Sequence, residues 1–295
     1  MGWVDPMQGT DTPLTEIKDH PEPIADSPLR RPIALLSLPN TGTDWFADLL
    51  LRQNPALRYY REFFNPICNP KYEDELNKAF GCEMVENYRM LARPYCLCDD
   101  VYWRTWAREE YNFTKENYSA FKLDWFSLRF DVFVLYRRAE LTFPGERLQV
   151  KTWYDAMFAS LVKNKWGLER DVRSLVDFAC QHADTVNKRQ VAAFAIYYFK
   201  LLKDAHRYGV PVLDYDQLML ASTEELSCLL RQLPGVRDVE QLAQGVSATR
   251  RPSNKNFGEL GVDAFFAQLA ERAQAYGGEG VQRLAPSHEP TPCAA

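Results

Sequence analysis

A chain of 295 residues, 46% of them hydrophobic, is long enough to bury one large core, and its net charge of -5 argues against a general nucleic-acid binder, which would be basic. Seven cysteines, at positions 68, 82, 96, 98, 180, 228 and 293, are odd in number and follow no regular framework; with no hydrophobic leader ahead of them, a reduced cytoplasmic setting is expected. No apolar run is long enough to span a bilayer.

Residues 1–30 are rich in Pro, Asp and Thr without periodicity and are expected to form a disordered arm. A single α/β domain over residues 31–275 follows, then a Gly- and Pro-rich flexible tail over 276–295. The domain opens on Ile33-Ala34-Leu35-Leu36-Ser37-Leu38, an apolar run of the length of one buried strand. A compact turn comes next, Pro39-Asn40-Thr41-Gly42-Thr43, and behind Asp44 the residues Trp45, Phe46, Leu49 and Leu50 recur at helical spacing. A helix that starts this way leaves its first amides without partners, and with the helix dipole behind them they attract an anion. The glycine permits close backbone approach, and the hydroxyls of Thr41 and Thr43 are candidate donors to the same oxygens. The Walker pattern G-x-x-x-x-G-K-[ST] is absent, which argues against an ordinary Mg-nucleotide hydrolase.

Leu57 to Tyr60 reads as a second strand, ending at Arg61-Glu62-Phe63-Phe64-Asn65-Pro66. Lys71 to Phe80 and Val101 to Glu110 read as short helices, while Ser119 to Trp125 fits strand and helix equally. Asp131 to Tyr136 is a strongly apolar strand that stops at Arg137-Arg138. Helical patterns over about Val150 to Lys165, Val172 to His182 and Asn187 to Tyr208 lead to a short strand, Val210 to Leu213, and a helix over Thr223 to Gln232. Strands alternating with helices predict a mostly parallel central sheet flanked by helices, with ligands at the carboxyl ends of its strands.

Chemistry-bearing residues cluster at those predicted ends. Arg137 and Arg138 follow a buried strand directly, where a guanidinium can reach a phosphate. Arg250, Arg251 and Lys255 lie among hydroxyls in the segment Ser247 to Lys255, a combination suited to a phosphate clamp. Glu62, beside two phenylalanines, and Asp124, between Leu123 and Trp125, are candidate bases, because a carboxylate sheltered by aromatic rings has its pKa pushed upward. The four histidines, at 20, 182, 206 and 288, fall in the arm, the tail or near ends of predicted helices away from the strand ends, so the base role passes to a carboxylate. Cys96-Leu97-Cys98 lacks a second pair at zinc-ligand spacing, and no metal is expected.

These motifs resemble those of sulfotransferases that use 3′-phosphoadenosine 5′-phosphosulfate (PAPS). Leu38-Pro39-Asn40-Thr41-Gly42-Thr43 looks like that family's 5′-phosphosulfate loop, and Arg61-Glu62-Phe63-Phe64-Asn65-Pro66 and Phe121-Lys122-Leu123-Asp124-Trp125 look most like motifs of the trehalose 2-sulfotransferase type. The strand ending in Arg137-Arg138 resembles the 3′-phosphate motif. The resemblance covers roughly Pro32 to Trp166, with Tyr215 and Arg250-Arg251 as weaker echoes. It implies a P-loop NTPase-like sulfotransferase fold, PAPS as the sulfuryl donor, and a small-molecule or glycan acceptor hydroxyl. By the same resemblance Asn40, Thr41, Gly42, Thr43, Asp44, Trp45, Arg137, Ser160, Tyr215, Arg250 and Arg251 hold the donor, and Glu62 is the base with Asp124 as second candidate. The chain departs from the pattern twice. Asn40 stands where the loop usually carries Lys or Arg, leaving Lys122 as the expected substitute cation. The 3′-phosphate serine is Ser160 if Phe143 to Trp153 is an insertion, with Thr142 as the alternative. Tyr59, Tyr60, Tyr102, Trp103, Trp106 and Trp125 are candidate stacking surfaces for the acceptor. No nucleic-acid partner is expected, and the sequence is silent on oligomeric state.

Overall fold

The apolar runs assemble into five parallel strands in the order β2-β3-β1-β4-β5. A computed structural model describes residues 31–64, 106, 112–143, 152–233, 236, 238–250, 257 and 260–284, all within one unit spanning residues 31–295. In chain order the strands and α-helices are β1 (Ile33–Leu36), α1 (Thr43–Gln53), β2 (Tyr59–Arg61), β3 (Phe113–Glu116), α2 (Leu123–Arg129), β4 (Asp131–Tyr136), α3 (Ala139–Thr142), α4 (Thr152–Lys163), α5 (Arg170–His182), α6 (Val186–Tyr208), β5 (Val212–Asp214), α7 (Tyr215–Leu220), α8 (Thr223–Arg231), α9 (Val239–Thr249) and α10 (Asp263–Gly277). The expected α/β class, with a sheet between helices, is what the chain adopts.

Strand alternation sends side chains to two cores. Ala34 and Leu36 of β1, with Val132, Val134 and Tyr136 of β4, pack under α2, α4, α5, α6 and α10. Ile33, Leu35, Phe133 and Leu135 face the other way, against α1, α7, α8 and α9. The long helix α6 is anchored by its Thr185 cap, whose hydroxyl accepts from the Lys188 amide, and stopped by Gly209 at φ 64°. Between them, every residue from Gln190 to Leu202 is buried, which explains the run of Ala, Phe and Tyr there.

Two elements differ from the sequence pattern, and one that it left open is settled. Phe113–Glu116 is a fully buried strand that alternation does not reveal, because Thr114, Lys115 and Glu116 are polar and find partners inside the fold. Phe121-Lys122-Leu123-Asp124-Trp125, whose pattern fits strand and helix equally, runs from a 3-10 turn (Ala120–Lys122) into α2. Residues 275–284, assigned by composition to the end of the domain and a loose tail, continue α10 and a 3-10 turn (Gly278–Leu284), with Val281 and Leu284 buried in the α6 core. Residues 1–30, the helix over Lys71 to Phe80, nearly all of the Val101 to Glu110 helix, Arg251 and residues 285–295 lie outside the described residues. Among the described residues, no helix is long and apolar enough to cross a membrane, and no group of His, Cys, Asp and Glu is arranged to hold a metal ion.

The connections define where a ligand fits. From β1 the chain leaves through α1, on one face, towards β2 and β3. From β4 it leaves through α6, on the opposite face, to β5 on the other side of the sheet. Neighbouring strands whose exits diverge open a crevice at their carboxyl ends.

Candidate functional site at the carboxyl ends of the strands

The loop between β1 and α1 lies at that crevice. Asn40 and Gly42 both have positive φ, 63° and 91°, and such backbone suits Gly and is tolerated by Asn. Gly42 is required a second time: a Cβ there would lie 2.3 Å from Cε2 of Tyr215, the first residue of α7. No side chain caps α1, whose first internal bond runs from the Phe46 amide to the Gly42 carbonyl at 3.0 Å. The preceding amides, Thr43 to Trp45, therefore have no partner within the helix and suit an anion.

The loop is shaped from beneath. Thr41 Oγ1 donates to the Leu38 carbonyl at 2.6 Å and lies 2.6 Å from Ser37 Oγ. Ser37 and Tyr198 hydroxyls both donate to the Leu135 carbonyl, at 2.5 and 3.0 Å, and Tyr154 Oη donates to the Pro39 carbonyl at 2.7 Å. The Thr41 hydroxyl is thus turned into the fold instead of towards a ligand, and Thr43 Oγ1 likewise donates to Asn117 Oδ1 at 3.1 Å. Expecting both hydroxyls at a phosphate overlooked this: in so tight a loop, short hydroxyl side chains satisfy nearby buried carbonyls. What the loop offers an anion is its backbone.

Arg137, at the end of β4, stands across the crevice. Its Nη1 donates to the Asn40 carbonyl at 3.3 Å and its guanidinium lies 4.6 Å from the centre of the Tyr215 ring. Its Nε is buried without a hydrogen-bond partner among the described residues, and no described carboxylate lies within ion-pair distance of it. Arg138 contrasts with this, because it is bound to Asp216 through its backbone amide and its Nε, at 3.1 and 3.3 Å. Burial holds the Tyr215 hydroxyl above the ordinary tyrosine range, with Arg137 acting in the opposite sense. The Tyr215 ring meets Trp45 edge-on at 5.4 Å, and Trp45 Nε1 donates to Thr249 Oγ1 at 3.1 Å. A cation, two aromatic rings and a row of amides thus border one crevice.

A charged cluster adjoins it. Lys115 Nζ, fully buried, bonds Asp44 Oδ1 at 2.7 Å and Glu62 Oε1 at 2.9 Å. Asn117 Nδ2 donates to the same Glu62 oxygen at 2.7 Å, and Arg61 pairs with the other Asp44 oxygen at 3.1 Å. Glu62 itself has φ 49°, held by a bond from its amide to the Lys115 carbonyl at 2.8 Å. Through Lys115 and Asn117 the Glu62 carboxylate is tied to Asp44 and Thr43, the first turn of α1.

Asn40, Thr41, Gly42, Thr43, Asp44, Trp45, Glu62, Arg137 and Tyr215 thus form one contiguous site. The other candidates are placed as follows. Ser160 is buried on α4, where Asn164 Nδ2 donates to its Oγ at 3.3 Å. It stands six residues beyond Tyr154, the residue that touches the loop, or about 9 Å along the helix. Thr142 donates to the Arg138 carbonyl at 3.0 Å. Lys122 is buried at the end of the 3-10 turn that packs on α6, and Asp124 occupies the first turn of α2. Arg250 follows α9 and caps the end of α7, its Nη1 donating to the Ala221 carbonyl at 2.5 Å. Of the proposed stacking aromatics, Trp106 and Trp125 are packed in the aromatic core with Phe64 and Phe130, and Tyr102 and Trp103 lie outside the described residues. Sequence reasoning missed Lys115, Asn117 and Tyr198; the first two stand at the end of the unread strand, and only pairing with β1 and β2 places them.

Gly42→Ala tests the loop. The backbone alone costs about 1–2 kcal/mol, with displacement of the Tyr215 ring in addition. Denaturant unfolding should show a larger loss in the wild-type background than in Tyr215→Ala, where only the backbone cost remains.

Comparison of the chain with protein-family models, with curated proteins and with solved structures finds no match in any of the three.

Proposed function

We propose that the protein is a sulfotransferase with a P-loop NTPase-like sulfotransferase fold, transferring a sulfuryl group from PAPS to the hydroxyl of a small-molecule or glycan acceptor. The observation that carries this reading is Arg137, an arginine without a carboxylate partner among the described residues, facing an uncapped helix start across the sheet's switch point. Such a pair suits an elongated ligand with anionic groups, and the Trp45 and Tyr215 rings beside it suit a flat base. The motif resemblance supplies the identity of that ligand, and Glu62 supplies the remaining chemical need.

When bound, PAPS supplies the sulfuryl group and departs as adenosine 3′,5′-bisphosphate, keeping the electron pair of the broken sulfur–oxygen bond. Glu62 takes the acceptor's hydroxyl proton as the acceptor oxygen forms its bond to sulfur. Lys115 and Asn117 hold Glu62 in place through one of its oxygens. The amides of Thr43 to Trp45 and the Arg137 guanidinium stabilise charge on the leaving phosphate, so positioning and electrostatics carry most of the rate. Lys115 stands between Glu62 and Asp44 at the α1 start, and with Lys122 it is a candidate for the role left open by Asn40.

Calorimetry with adenosine 3′,5′-bisphosphate tests the reading. The wild-type chain binds it, and Arg137→Ala weakens binding by about 1.5–3 kcal/mol, a loss of charge-assisted hydrogen bonds equal to about 10- to 150-fold in Kd. No binding by the wild type overturns the proposal, as does ATP binding tighter than the bisphosphate. Binding without transfer to a broad acceptor panel reduces the assignment to a nucleotide-binding protein on the same scaffold.

A further inference from the structure

We infer that Asp44 is a specificity-determining residue of the donor site: its carboxylate turns away a ligand that ends in a doubly charged phosphate and admits one that ends in a singly charged sulfate. The inference rests on the transfer reading for the identity of the donor, and on the placement of Asp44 for the discrimination.

Asp44 is the second residue of α1, so its amide is one of those that suit an anion, and its side chain, tilted back towards the helix start, lies beside them. An acidic residue in the first turn favours the helix because it complements the dipole. The same carboxylate takes away part of the positive potential that a bound anion needs. The Walker pattern does the reverse, placing a lysine directly after its last glycine, where it reaches terminal phosphates. Here Gly42 is followed by Thr43 and then by a carboxylate.

The arrangement of the sheet gives Asp44 its place relative to the ligand. Arg137 approaches the loop from β4 and Lys115 approaches α1 from β3, on opposite sides of β1. The outer group of the donor, which the acceptor meets beside Glu62, therefore falls on the Asp44 side. There Lys115 Nζ bonds Asp44 Oδ1 at 2.7 Å and Glu62 Oε1 at 2.9 Å, and Arg61 Nη2 bonds Asp44 Oδ2 at 3.1 Å. Two carboxylates face two cations, and one ammonium serves both carboxylates. With both oxygens held, the Asp44 carboxylate is fixed in place, and being half-exposed where Glu62 is buried, it presents its charge to the crevice. Sulfate and phosphate groups have nearly the same shape, so packing separates them poorly. Charge separates them well: a sulfate ester carries one negative charge, a terminal phosphate about 1.5 to 2 at neutral pH. The extra charge is repelled by Asp44, which makes the discrimination one of like charge against like.

Two nucleotides that differ only in the terminal group decide the matter: PAPS, and adenosine 3′-phosphate 5′-diphosphate, which ends in phosphate. Calorimetry without an acceptor measures both, so that nothing is transferred. Wild type should bind PAPS about tenfold more tightly, the low end of what a like charge a few ångströms away produces, as suits a half-exposed carboxylate. Asp44→Asn keeps the size and removes the charge, and should bring the two Kd values to within about threefold. Arg61→Gln removes a cation instead and should widen the preference, which carries the test if Asp44→Asn does not fold. Each ratio is taken within one variant, so a partial loss of folded protein cancels. Lowering the pH to about 5.5 protonates the terminal phosphate, and the wild-type preference should narrow. Equal wild-type affinity for the pair, a ratio unchanged in Asp44→Asn, a preference narrowed by Arg61→Gln, or one that ignores pH overturns the inference and leaves the proposed function standing. A wild type that binds neither PAPS nor adenosine 3′,5′-bisphosphate overturns the proposed function, and the inference falls with it.

Discussion

Replacing Glu62 by Gln lowers sulfuryl transfer by about 10²- to 10⁴-fold, the usual contribution of a general base, while bisphosphate affinity stays within about twofold, well below the 1.4 kcal/mol that a tenfold change requires. The two effects separate for a structural reason. Gln keeps the oxygen that accepts from Lys115 Nζ and Asn117 Nδ2, so the turn and its positive-φ residue remain in place. The groups assigned to the nucleotide are on other elements: the α1 amides, Arg137 on β4, Tyr215 on α7. Single-turnover kinetics beside calorimetry checks both halves. A variant with full activity moves the base to Asp124; one that loses bisphosphate binding makes Glu62 part of the donor site.

Lys115→Met destabilises the fold by about 3–5 kcal/mol, because it takes the ammonium at 2.9 Å away from a buried carboxylate. The Lys115 side chain has no solvent exposure and that of Glu62 only 6%, so little water can replace the lost partner; Asp44, 58% exposed, is solvated and adds little. The double variant Lys115→Met/Glu62→Gln should recover most of the loss, since the carboxylate charge that Lys115 balances is removed with it. Equilibrium urea unfolding of the four species of the cycle measures the coupling. Additive losses would mean that the ammonium and the carboxylate do not depend on one another.

The ion-pair cluster on α5 and α6, by comparison, reads as structure. Lys200 bonds Glu169 and Asp204, each at 2.6 Å, and Lys203 bonds Glu169 at 3.0 Å and also Asp171. Partners of Lys200 raise its pKa against burial, and lysines lower that of Glu169. Every charge there has an oppositely charged partner at hand, whereas Arg137 has no carboxylate partner among the described residues.

The residues that could be read from the sequence share one physical property: their roles depend on near neighbours in the chain. An apolar run followed by a glycine turn and helical spacing suffices to specify β1, the loop and α1, and Val132 to Leu135 suffices for β4, because local sterics and alternation act over a few residues. Arg137 and Glu62 were legible for the same reason, since each follows its strand directly. Partner choice at long range was not legible. Whether Arg137 or Arg138 pairs with a carboxylate depends on Asp216, 78 residues from Arg138, and the burial of Lys115 depends on Glu62, 53 residues away. A strand as polar as Phe113–Glu116 becomes central only because α1 and the turn after β2 bring carboxylates and an amide to its tip, so its burial is decided by tertiary contacts and not by its own composition.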